Sequence, residues 1–197
     1  MKRLVDIVLS LTGLLILAPV FAIAALLIKN DSKGPVFFRQ ERIGRNFKPF
    51  MIYKFRTMTA GAEKKGALIT VGGDARITRI GRTLRRYKID ELPQLLNVLK
   101  GDMSLVGPRP EVREYVELFK PEYAKLLKVR PGLTDPASLR YSQEESLLAS
   151  SADWREQYAG SILPRKIALS MGYVEHHDVL TDFRLIWQTI FKIAETR

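Results

Sequence analysis

A chain of 197 residues with 32 Lys and Arg against 21 Asp and Glu, a net charge of +11 and no cysteine is long enough to bury one real core. It has neither a disulfide framework nor a cysteine-ligated zinc site, and its only histidines, His176 and His177, are adjacent and diverge on a helix. The basic excess suits a nucleic acid, an anionic membrane surface or a phosphorylated substrate, and any metal here is a hard ion held by carboxylates and phosphates.

From Leu4 to Ile28 the chain reads LVDIVLSLTGLLILAPVFAIAALLI, with no charge after Asp6 until Lys29. That length spans a bilayer. Three readings stand: a cleaved signal peptide, a single spanning helix, and a re-entrant hairpin that enters and leaves by one face. Pro19 favours the hairpin, because it removes a backbone hydrogen bond in mid-segment. It leaves arms of roughly 22 Å and 15 Å at 1.5 Å per residue, each shorter than a ~30 Å hydrocarbon core. The flanks agree, since cations stand on both sides: Lys2 and Arg3 before, then Lys29, Lys33, Arg39, Arg42 and Arg45. A spanning helix predicts asymmetry instead.

PVFFRQERIG (35–44) and FMIYKFRTM (50–58) are aromatic and β-branched, so they predict a short β-hairpin. EKKGALITVGGD reads as an exposed loop. Asp74 then predicts the N-cap of a helix that carries Ile77, Ile80, Leu84 and Tyr87 on one face and arginines on the rest. A second helix has Leu92, Leu95, Leu96 and Leu99 as its stripe and ends at Gly101. Pro93 is tolerated only in its first turn, which puts Asp90 and Glu91 at the helix N-terminus. GDMSLVGPRP reads as a loop, followed by one amphipathic helix over about 111–128. After VRPGLTDP the chain reads as mainly helical. It closes on DFRLIWQTIFKIAE, which suits either an interfacial helix or an ordinary core-packing one. No P-loop and no Gly-x-Gly-x-x-Gly occurs.

Asp90 and Glu91 carry the chemical question. Acids in a first helical turn complement the macrodipole, and most such pairs do no more. Here they stand amid Lys54, Arg56, Arg82, Arg85, Arg86 and Arg109, beside an apolar membrane element. Acids embedded in such positive charge point to a phosphate-bearing substrate. A carboxylate that attacks a diphosphate meets about 4 kcal/mol of repulsion at ~4 Å and an effective dielectric near 20, roughly a thousandfold in rate. Cations are needed to offset it. A non-catalytic basic anchor that binds anionic lipid or RNA explains the charge and the N-terminus, but not the paired acids inside the basic region.

GPVFFRQERIG, KFRTM, RITRIGRTLRR, DELPQLLNVLKGDMSLVGPRP and RPGLT occur in this order, and together they closely resemble the monotopic phosphoglycosyl transferases, the bacterial sugar transferase family. The resemblance covers nearly the whole chain and suggests the minimal catalytic form. It implies an α+β, predominantly helical fold: a re-entrant membrane helix over 1–29, then a cytoplasmic catalytic domain over 30–197 with a short β-hairpin and interfacial helices. The implied reaction moves a sugar-1-phosphate from a UDP-sugar to a polyprenyl phosphate, usually undecaprenyl phosphate. UMP leaves and a covalent phosphosugar–aspartate forms, with Mg²⁺ or Mn²⁺ as cofactor, on the cytoplasmic face of the bacterial inner membrane. No nucleic acid is implied, and a homodimer is left open. By position Asp90 matches the nucleophile and metal-associated acid. Glu91 matches its dyad partner, suited to accept a proton from the lipid phosphate. Lys54, Arg56, Arg85, Arg109 and Arg130 match basic substrate-binding positions, and Pro19 the membrane bend. The chain departs from the usual pattern at Ala18, where relatives often have Ser, and at Asp135–Pro136 after RPGLT, where many have Gly-Trp.

Overall fold

The computed structural model of the protein describes residues 2–62, 73–149 and 153–195. Most of the EKKGALITVGGD segment lies outside them.

Helix α1 runs from Lys2 to Asp31 and continues through Pro19 rather than separating into two helices there. One missing N–H removes one rung of the ladder, and the helix is held at both ends by the rest of the chain. Near its start, the Arg3 guanidinium donates to the carbonyls of Val98 and Leu99, at 2.5 and 2.8 Å. Asp6 is buried and accepts from the Ser104 hydroxyl and the Leu105 N–H, both at 3.0 Å. Near its end, Ala24 and Ile28 pack with Phe55 and Leu84, and Asp31 accepts from the Ile80 N–H at 3.0 Å. Between these anchors Leu4, Val8, Leu11, Leu15, Ile16 and Ile23 are exposed.

Strands β1 (Phe37–Ile43) and β2 (Pro49–Phe55) form the expected antiparallel hairpin, with Phe38 opposite Lys54. Alternation sends Ile52 and Lys54 to one face and Phe55 to the other. Ile52 packs with Val98 and Met103, while Phe55 meets α1 edge-on through Phe21 at 5.1 Å. Helix α2 spans Arg79–Arg86, and its N-cap is Thr78, whose hydroxyl accepts from the Gly81 N–H. The expected cap, Asp74, instead bonds the N–H and guanidinium of Arg76. Ile77 lies outside the helix in a bridge to Met58.

Asp90 and Glu91 lie on a 3-10 turn, Ile89–Gln94, that leads into α3 (Leu95–Lys100), rather than on the first turn of one α-helix. Pro93 has no N–H to bond back to Ile89, so this turn winds tightly, about three residues to the turn. Gly101 ends α3 at φ 89°, as a glycine can. The buried Asn97 side chain continues the hairpin ladder: its amide donates to the Met51 carbonyl at 2.8 Å and its oxygen accepts from the Tyr53 N–H at 3.0 Å. The turn with the two acids is thereby fixed against β2.

GDMSLVGPRP and RPGLT are more than loops. They contain β3 (Ser104–Val106) and β4 (Gly132–Thr134), paired in parallel. Gly132 is essential to the pairing, because a Cβ there would overlap the Gly107 backbone. The single helix expected over 111–128 is two, α4 (Arg113–Leu118) and α5 (Lys120–Leu126), with Phe119 at φ −118° between them. Pro121 disrupts the continuous ladder there. Short helices α6 (Pro136–Arg140), α7 (Glu144–Ala149) and α8 (Trp154–Gln157) follow, then a π-turn at Tyr158–Ile162 into α9 (Leu163–His176) and finally α10 (Val179–Ala194). The largest core cluster joins α4, α5, the π-turn and α9 around Val116, Leu126 and Leu163. On α10, Leu180, Phe183, Trp187, Ile190 and Phe191 are exposed while Leu185 is buried, so one apolar face of the helix points outward.

Candidate active site

Lys54 on β2, Arg85 on α2, Asp90 and Glu91 on the 3-10 turn and Arg109 after β3 line one cavity of about 860 Å³. Among the described residues its walls carry ten Lys and Arg side chains against five carboxylates. Such a cavity attracts a polyanion.

The two acids diverge because successive residues of a 3-10 turn point about 120° apart. Glu91 is saturated. It accepts from Lys54 Nζ at 2.7 Å, and from Arg109 at 2.5 Å through one guanidinium nitrogen and 3.3 Å through the other. Burial opposes its ionisation, but the Arg109 and Lys54 charges outweigh burial and hold its pKa well below the ordinary value. Arg109 is raised in turn, chiefly by the Glu91 charge. Lys54 is lowered by burial, with Glu91 opposing.

Asp90 is the opposite case. It is 6% exposed, and its Oδ1 is buried with no hydrogen-bond partner among the described residues. Burial, then the neighbouring Glu91 charge, pushes its pKa up to about 6, against the pull of Lys54 and Arg85. A buried carboxylate oxygen without a donor is costly in a resting protein. Such an oxygen is available to a cation or to an electrophile. Lys88, just before the turn, is held at φ 54°, the kind of backbone strain that clusters at functional sites.

The other expected positions divide. Arg85 lines the cavity, with one nitrogen on Thr57 Oγ1 at 3.4 Å and another paired with Glu145. Arg56 borders the cavity, but its guanidinium donates to the carbonyls of Lys33, Ser32 and Ile28 at 2.5, 2.7 and 3.4 Å, so it closes the C-terminal end of α1. Arg56→Ala should therefore act through stability, lowering the melting temperature and leaving KM for the donor within about twofold in protein that stays folded. A large KM increase at unchanged melting temperature would return Arg56 to substrate binding. Arg130 is remote from the acids. Its Nε donates to the Gly101 carbonyl at 2.8 Å, and it lines a separate, smaller cavity.

Sequence reasoning passed over Glu111. This buried acid accepts from Tyr158 Oη at 2.9 Å and pairs with Arg42 at 3.3 Å and Lys166 at 3.9 Å. It joins β1, the segment before α4 and α9 at the cavity wall. The available signal was its place directly after GPRP. Asn97 was also missed, since a lone Asn within a leucine stripe carries no spacing pattern.

Among the described residues no three His, Cys, Asp or Glu side chains gather to hold a metal. With Glu91 occupied, the Asp90 carboxylate is what the paired acids offer a metal, which fits an ion that takes one carboxylate and completes its shell with substrate phosphates and water.

The family model for bacterial sugar transferases matches residues 1–196. The exopolysaccharide production protein PSS of Rhizobium leguminosarum bv. phaseoli is 43% identical over 96% of this chain and 93% of its own length. The UDP-glucose:undecaprenyl-phosphate glucose-1-phosphate transferase of Caulobacter vibrioides is 38% identical over 99% of this chain and 70% of its own. The UDP-N-acetylgalactosamine-undecaprenyl-phosphate N-acetylgalactosaminephosphotransferase of Aeromonas hydrophila is 38% identical over 96% of this chain, which spans only 42% of that longer relative. A match over almost every residue, with the acids and their cations in one cavity, means that the chain belongs to the bacterial sugar transferase family, the phosphoglycosyl transferases.

Proposed function

We propose that the protein transfers a sugar-1-phosphate from a UDP-sugar to undecaprenyl phosphate or a related polyprenyl phosphate, with Asp90 as nucleophile and UMP as leaving group. The carrying observation is the contrast between the acids: Glu91 has its cations, and Asp90, which lines the same cation-rich cavity, has a buried oxygen without a partner among the described residues. In the first half-reaction an Asp90 oxygen bonds to the sugar-bearing phosphorus as the phosphoanhydride bond to UMP breaks. In the second, a phosphate oxygen of the polyprenyl phosphate bonds to that phosphorus, the aspartyl–phosphorus bond breaks, and Asp90 returns as a carboxylate. Lys54, Arg85 and Arg109 orient the diphosphate and offset its charge. Glu91 holds Lys54 and Arg109 in position, and its depressed pKa makes it a poor proton acceptor for the lipid phosphate. Asp90 would hold a divalent ion, which would supply further charge neutralisation at the diphosphate.

The membrane reading rests on α1. A helix of 30 residues is about 45 Å long, yet its first residues hold α3 and β3 while its last carbonyls are held by Arg56. One body grips both ends. That supports a helix embedded from one side, its exposed apolar face and that of α10 in lipid, with the cavity on the cytoplasmic side. A protease site placed before Met1 should be cut in inside-out vesicles and protected in right-side-out ones, as should a site after Arg197. Opposite sidedness of the two would establish a spanning helix.

Release of UMP from a panel of UDP-sugars, with and without undecaprenyl phosphate, tests the reaction and finds the sugar. Activity should vanish in EDTA and return with Mg²⁺ or Mn²⁺; full turnover in chelator would remove the metal from the scheme. A chain that binds anionic vesicles but releases no UMP from any UDP-sugar would be a basic anchor.

A further inference from the structure

A second cavity, of about 180 Å³, has no lining residue in common with the first. Lys2, Arg3, Asp6, Arg45, Lys128 and Arg130 line it. The β3–β4 pair contributes to both: Ser104 and Val106 of β3 line the small one, Leu133 and Thr134 of β4 the large one. Lys2 is paired with Asp182. Asp6 accepts only from neutral donors, the Ser104 hydroxyl and the Leu105 N–H, so its one negative charge faces four remaining cations. Arg3 and Arg130 are oriented from one place, the C-terminal end of α3, through the carbonyls of Val98, Leu99 and Gly101. The terminal nitrogens of Arg130 and the side chains of Arg45 and Lys128 have no acceptor among the described residues. Burial, then the charges of Arg45 and Arg3, lowers the proton affinity of Arg130, so the cluster is short of negative charge.

We propose that this second cavity is a phosphate-binding site, separate from the catalytic one. Several arginines and a lysine around one small cavity match the tetrahedral, multiply charged oxygens of a phosphate better than a single carboxylate. The face of α1 with Leu4 and Val8 is exposed and apolar, so the phosphate has two sources: the headgroup of an anionic lipid, or a soluble phosphate. Because the walls are distinct, occupancy here leaves Asp90 accessible. The site stands whether or not the transferase reading does.

The test is site-specific acetylation of Lys128, read by peptide mass spectrometry, with Lys120 on α5 as internal reference. The full chain is placed in phosphatidylcholine nanodiscs in chloride buffer, in the same discs with inorganic phosphate at matched ionic strength, and in discs containing phosphatidylglycerol. Lys128 should be protected several-fold relative to Lys120 in at least one of the last two arms. Protection by inorganic phosphate assigns a soluble ligand, and protection by phosphatidylglycerol alone assigns a lipid headgroup. Arg45→Glu, at an exposed position with no side-chain partner among the described residues, should abolish that protection and leave UMP release unchanged. Equal labelling of Lys128 in all three arms overturns the site, as does protection that survives in Arg45→Glu.

Discussion

Asp90→Asn is expected to lower turnover by about a thousandfold or more and at the same time to make the protein more stable. Both effects come from the same buried carboxyl group. Asparagine keeps the size but cannot form the acyl phosphate, so incubation with the UDP-sugar alone should leave a phosphosugar on the Asp90 peptide of the native protein and none on the variant. The stability effect follows from proton linkage. The folded protein holds the Asp90 proton up to about pH 6, whereas an unfolded chain releases it near 3.8. Stability is therefore lost as pH rises between those values, and the cost persists at neutral pH, up to roughly 3 kcal/mol for about two pKa units. Removing the charge should return part of it, seen as a higher melting temperature at pH 7 and little difference at pH 4. The same ionisation sets the pH profile of the native enzyme: kcat/KM should fall tenfold per unit below about pH 6. Normal turnover by the asparagine variant, or kinetics that need both substrates bound before any UMP appears, would instead place the lipid phosphate as direct attacker.

Arg109→Ala should be damaging in two separable ways. Glu91 loses two of its three hydrogen bonds and keeps only Lys54. Removing one partner of a buried pair costs about 3–5 kcal/mol, and Arg109, partly exposed, belongs toward the low end. A denaturant midpoint measures that loss. The cavity also loses a cation beside the diphosphate, worth about a hundredfold to a thousandfold in kcat/KM on the electrostatic scale above. Arg109→Lys restores a point charge but not the two-pronged grip on Glu91. It should recover stability better than rate. If Arg109→Ala retains activity within a few-fold, the cation is structural only.

Several elements were legible before folding was considered. The hairpin was, since alternation at Phe38, Ile52 and Lys54 is a local property of strands. The cations around Asp90 and Glu91 were too, because the relevant motifs are short and contiguous. Less legible were features in which distant segments compete for the same group. Asp74 is as good a cap as Thr78 by type, and the choice fell to Thr78 once Arg76 occupied Asp74. Arg56 and Arg130 look like their neighbours in sequence, yet each is claimed by helix-end carbonyls from another part of the chain. Strands β3 and β4 are three residues each and pair across a gap of 28 positions, far too short and too separated to leave a periodic signal.

By itself, then, the sequence determined the inventory: one apolar 25-residue segment between cations, two adjacent acids, and enough basic charge to attract a diphosphate. Charge, hydropathy and turn residues act locally, and they survive without the fold. Only the tertiary structure decided which acid is free. Asp90 and Glu91 are neighbours with the same charge, and nothing in their order says that Glu91 meets Lys54 from β2 and Arg109 from beyond β3. That outcome depends on the tight turn set by Pro93, on Asn97 stitching the turn to β2, and on Gly132 letting β4 lie against Gly107. Each brings a cation from a distant stretch of chain to one carboxylate. The other is left buried without a donor, and its reactivity comes from that missing partner.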